Sequence, residues 1–126
     1  MKDAAPQWPL AGLRVLDLST EISGPYCTKL LADAGADVIK LESPDGGDPL
    51  RRWSASGTDI PVDEDGALFQ FLNTSKRSVV ADLDASEGRR LVLDLAPSID
   101  LVVESFGPGV MQQRQQIGRA SCRERV

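Results

Sequence analysis

A chain of 126 residues, with 41% apolar and 26% charged side chains, has material for one modest globular domain and no more. Its net charge of −5 argues against a nucleic-acid binder, which would need a basic face toward phosphates. The sequence contains no histidine, so histidine-based metal sites, histidine general bases and Ser-His-Asp triads are excluded from it.

The opening MKDAAPQWPLAG lacks the apolar core of a secretory signal. No apolar run approaches the roughly 20 residues of a membrane span. A cytoplasmic protein with no membrane attachment is therefore expected. LRVLDL, residues 13–18, is a short apolar run with one Asp and reads as a buried strand. Gly24 and Pro25 then open a helix in which Cys27, Leu30, Leu31 and Ala34 share one stripe, expected to be buried, and Gly35 ends it. DVIKLE, residues 37–42, is a second strand, so the first three elements form a βαβ unit with parallel strands.

Residues 43–66 turn to Gly, Pro, Asp and Ser around Arg51, Arg52 and Trp53, the signature of a long loop. ALFQFLNT, residues 67–74, reads as a short helix, and SVVADL, residues 78–83, as a strand. Asp84 and Glu87 have the spacing of a capping box ahead of a helix carrying Leu91, Val92 and Leu95, halted by Pro97. DLVVE, residues 100–104, is a further strand, and FGPG leads into a last helix beginning VMQQRQ. Alternating strands and helices predict the α/β class: a Rossmann-like open parallel sheet with flanking helices.

The final ten residues, IGRASCRERV, break from this pattern and read as the translation of a sequencing-adapter stretch. Residues 1–116 are thus expected to be the incomplete N-terminal portion of a larger domain, and residues 117–126 a non-native tail. Both Cys27 and Cys122 are expected to be free thiols.

In open parallel sheets ligands sit beyond the carboxyl ends of the strands. That criterion selects the loops at 19–24, 43–52, 82–85 and 105–109. Arg51, Arg52, Lys76, Arg77 and Arg114 lie near them in an otherwise acidic chain, a distribution that suits a polyanionic ligand or, equally, solvated surface charge. Neither the Walker-type nor the dinucleotide glycine motif is present, so an ordinary ATP or NAD site is not expected. Cys27 near a helix start has the placement of a nucleophile, but its stripe assigns it to packing. The carboxylates at Asp33, Asp37, Asp63, Glu64 and Asp65 read as solvated, and no metal site is expected.

Five stretches in order, GP before the first helix, LADAGADVIKLE, GGDPLR, NTSKRSVVADL and VVESFGPGV, make residues 10–114 closely similar to the N-terminal region of family III CoA-transferases. The resemblance implies an enzyme that moves CoA between an acyl-CoA and a carboxylic acid. In that chemistry an aspartate attacks the thioester and passes through a mixed anhydride and an aspartyl-CoA thioester. It places the aspartate beyond this segment, so no catalytic residue is assigned here and the segment alone is expected to be inactive. It implies CoA contacts at Ile22, Ser23, Ser43, Ala81, Asp82, Leu83, Asp84, Ser105, Phe106, Gly107 and Arg114, with Ser43 and Ser105 standing where members often carry Arg and Asn. CoA enters as substrate, with no further cofactor, and the full-length enzyme would be an interlocked homodimer. Two alternatives stay open: an acyl-CoA racemase, which shares this region, and a non-catalytic nucleotide-binding module.

Overall fold

The computed structural model describes residues 7–113 together with the backbone of residues 124–125. Its strands are β1 (Arg14–Asp17), β2 (Asp37–Glu42), β3 (Arg77–Val80), β4 (Leu101–Val103) and a two-residue β5 (Glu124–Arg125), which belongs to the segment read as a tail. The helices are α1 (Ser23–Asp33), α2 (Ala67–Asn73), α3 (Ser86–Leu95) and the short α4 (Val110–Gln113). Every strand pairing is parallel, and the strand order is β3-β2-β1-β4-β5. The chain thus reverses its direction of sheet growth between β1 and β4, the arrangement that opens a crevice beyond the strand ends.

Alternation along the central strands divides the core in two. Leu16, Leu18, Leu41 and Val102 pack with Val92 of α3 and Met111 of α4 on one face. Val15, Val38 and Val103 pack with Ala32 and Ala36 on the other, under α1. A third cluster of Leu50, Phe69 and Leu72 seats α2 and the 3-10 turn Pro49–Arg52.

Two local expectations are corrected. The sheet-facing stripe of α1 is Gly24, Pro25, Thr28 and Ala32, whereas Cys27 is exposed and Leu30 is 51% exposed. Residue size decides this: a Cβ on Gly24 would lie 2.2 Å from the Ser19 Cβ, so only glycine lets the helix approach the loop after β1 this closely. Nor is Asp84 the N-cap of α3: that position is Ala85, which makes no side-chain cap hydrogen bond. The Asp82 carboxylate instead accepts from the Asp84 amide at 2.9 Å, making Asp84 part of the preceding turn. Among the described residues no helix is long and apolar enough to cross a membrane.

Candidate ligand crevice at the strand ends

Loops leaving the first three strands, and Phe106 beyond β4, meet around a cavity of about 150 Å³ lined by Leu18, Thr20, Leu41, Ser43, Ala81, Asp82, Leu83, Asp84 and Phe106. Six residues singled out in the sequence, Ser43, Ala81, Asp82, Leu83, Asp84 and Phe106, are therefore brought together. Its floor is apolar and its rim carries carboxylates and hydroxyls, and its volume suits a ring-sized group.

The remaining sequence-selected residues sit around it or elsewhere. Ser105 accepts a hydrogen bond from the Thr20 amide at 3.1 Å and so ties the loop after β4 to the loop after β1. Gly107 is exposed and its carbonyl accepts from the Val110 amide at 3.2 Å. Ile22 is the N-cap of α1 and Ser23 its first residue; both are exposed, and neither lines the cavity. Arg114 lies outside the described residues. A second, wider hollow of about 890 Å³ lies between the loop running from Trp53 to Gly66 and α2, away from these residues.

Among the described residues, the basic side chains expected near a polyanion, Arg51, Arg52, Lys76 and Arg77, are paired with carboxylates instead. Arg51 makes a two-pronged pair with Glu42 at 2.8 and 2.7 Å and also reaches Asp65 at 2.8 Å, while lying over the Phe69 ring. These contacts hold its guanidinium above its ordinary range, the Glu42 hydrogen bonds contributing most. Arg52 bonds the Glu64 carbonyl and reaches Asp65, and Arg77 pairs with Asp37 at 2.6 Å.

Sequence reasoning missed a buried charged cluster behind the crevice. Asp17 is fully buried and accepts from Ser19 Oγ, from Thr28 Oγ1 at 2.6 Å and from Lys76 Nζ at 3.1 Å. Lys76 also donates to the Pro25 carbonyl and Asn73 Oδ1. Beside it, Lys40 donates to Asp48 Oδ2 and to the Ser19 carbonyl, each at 2.9 Å. Burial pushes the Asp17 carboxyl up, but Lys40, Lys76 and the two hydroxyls outweigh it and hold the group below the usual carboxylate range. Glu42 is held low in the same way, burial being overcome by Arg51 and the Asp48 amide. Lys76 is pulled down by burial against the opposing pull of Asp17. The signal was present in the pattern: alternation puts Asp17, Lys40 and Glu42 on the same sheet face as Val15 and Val38, where a charge must find a partner.

With the crevice described, the family follows from comparison. Residues 10–126 match CoA-transferase family III. The chain belongs to that family. A succinyl-CoA:mesaconate CoA-transferase of Haloarcula hispanica is 46% identical over 104 residues, covering 82% of this chain and 26% of the relative. A succinate–glutarate CoA-transferase of Agrobacterium fabrum is 43% identical over 104 residues, covering 78% and 25%. The crystal structure of a CAIB/BAIF family protein from Brucella suis superimposes with a TM-score of 0.78 at 38% identity, covering 89% of this chain and 29% of that one. The chain spans about a quarter of the length of the curated family III relatives it matches.

Proposed function

We propose that this chain is the CoA-binding N-terminal segment of an enzyme that transfers CoA between an acyl-CoA and a carboxylic acid. The observation that carries the reading is the convergence of residues 43, 81–84 and 106 on one crevice at the carboxyl ends of a parallel sheet, in a chain of family III. The apolar floor of Leu18, Leu41 and Phe106 would stack against a nucleobase ring, and the Asp82 and Asp84 carboxylates at the rim would accept from its exocyclic amine. Ile22, Ser23, Ser105, Gly107 and Arg114 would contact the rest of CoA as it runs along the rim.

In this reading the reacting carboxylate is an aspartate outside residues 1–126. Its attack on the acyl thioester carbonyl expels the CoA thiolate and leaves a mixed anhydride. The thiolate then attacks the aspartyl carbonyl, releasing the first acid and storing CoA on the enzyme for the acceptor. The chain by itself therefore binds CoA and turns nothing over. The whole enzyme would work as a cytoplasmic homodimer, and residues 117–126 would be foreign to it.

Calorimetry on the chain with CoA, NAD and ATP tests the reading. CoA is expected to bind most tightly, with mutation of Leu83 to Arg, which projects a long cation into the crevice, abolishing the signal. Selective binding of NAD, or CoA binding indifferent to that mutation, overturns it.

A further inference from the structure

The corner formed by residues 19–21, between β1 and α1, is held in an unusual way. Four of its backbone groups are held by side chains from four different places in the fold. The Ser19 amide donates to Asp17 Oδ1 at 2.9 Å, and the Ser19 carbonyl accepts from Lys40 Nζ at 2.9 Å. The Thr20 amide donates to Ser105 Oγ at 3.1 Å, and the Glu21 amide donates to Asp48 Oδ1 at 3.1 Å and Oδ2 at 3.3 Å.

Glu21 has φ of 67°, the left-handed region that a residue with a Cβ enters only at a cost. Such a conformation persists where the surroundings over-determine it. The surroundings here are the Lys40–Asp48 pair, whose side chains are 2% and 0% exposed. Asp48 has a second duty, since its Oδ1 also accepts from the Leu50 amide at 3.0 Å and starts the 3-10 turn. One carboxylate therefore joins the corner after β1 to the loop after β2, and its lysine ties the same corner to β2 itself.

We propose that Asp48, set by Lys40, is a positioning residue for the ligand crevice: the pair fixes the left-handed corner at Glu21 and with it Thr20 on the cavity wall and the start of α1 at Ile22 and Ser23, which follow the corner directly. Asp48 does not line the crevice and acts only through that corner. The claim that the corner matters to a ligand rests on the CoA reading; the claim that the pair sets the corner does not.

The test is amide hydrogen exchange on the chain carrying Asp48→Asn, with Lys40→Met/Asp48→Asn as a second variant that leaves no unpaired buried charge if the first fails to fold. The Glu21 amide is expected to exchange about tenfold faster in either variant, while the Leu16 and Ile39 amides of the central strands keep their protection. CoA is expected to bind about tenfold more weakly, by calorimetry on the same samples. Unchanged exchange at Glu21, or an equal acceleration at every amide, overturns the positioning role, the latter showing that the pair only stabilises the fold. Unaltered CoA affinity in a variant whose corner has loosened overturns the link to the ligand. Absence of CoA binding to the unmutated chain sinks the CoA reading instead, and the exchange result at Glu21 still decides what sets the corner.

Discussion

Two of the loops that contribute to the crevice are built on opposite principles. The corner at residues 19–21 hangs on charged and polar side chains, with Asp17, Lys40 and Asp48 behind it at no more than 2% exposure. The turn at residues 81–84 depends on close backbone approach: the Ala81 amide donates to the Glu42 carbonyl at 3.0 Å, the Ala85 amide to the Asp82 carbonyl at 3.2 Å, and Gly88 of α3 presses against Asp82. The first loop is thus sensitive to charge and the second to volume. Charge inside a protein is tolerated only when paired, and its removal is punished through the partner left behind.

The largest effect should come from the charged side. Asp17→Ala leaves Lys76 buried without its carboxylate, and a loss of about 3–5 kcal/mol in denaturant unfolding is expected. A loss within the range of an ordinary surface change would show that Lys76 reaches water in solution. Next is Gly88→Ala. The added Cβ would sit 1.9 Å from the Asp82 carbonyl oxygen, so α3 or the turn must move, at about 1–3 kcal/mol by the same measurement.

Acid should separate the two loops more gently. Asp17 and Glu42 are held below their unfolded values of 3.8 and 4.5, so their contribution is fully present above those values and is lost as pH falls through them toward the folded values. Stability should therefore decline on acidification, with a shallower slope in Asp17→Asn and the unmutated slope in Gly88→Ala. Smallest of all is Cys27→Ser, expected within about 0.5 kcal/mol because the thiol is exposed. A cost near 2 kcal/mol would restore the buried stripe that the helical spacing suggested.

That last case shows what could be read from the residues and what could not. The strands were legible because parallel strands buried on both faces carry short apolar runs, as at Val15, Leu16, Val38 and Val102. The meeting of the loops that hold residues 43, 82–84 and 106 was legible too, since strand-end loops of a parallel sheet must meet at one rim, whereas Ala81 was singled out only by the family resemblance. The burying face of α1 was not, because hydrophobic spacing ranks Cys27 and Leu30 above Gly24 and Thr28, whereas the sheet selects the smallest surface and the hydroxyl that reaches Asp17. Pairing of the basic residues was equally hidden: Lys76 meets Asp17 across 59 positions of sequence and Arg77 meets Asp37 across 40, distances at which local pattern is silent.

Concealment of Lys40 and Lys76 has a chemical corollary. An ammonium group that is out of reach of water is also out of reach of acylating reagents, so in the folded chain these two amines should stay unmodified while others are labelled. Their first appearance in a labelling time course would mark the moment at which the inner side of the sheet opens, giving a clock for the loss of this corner that needs no ligand at all.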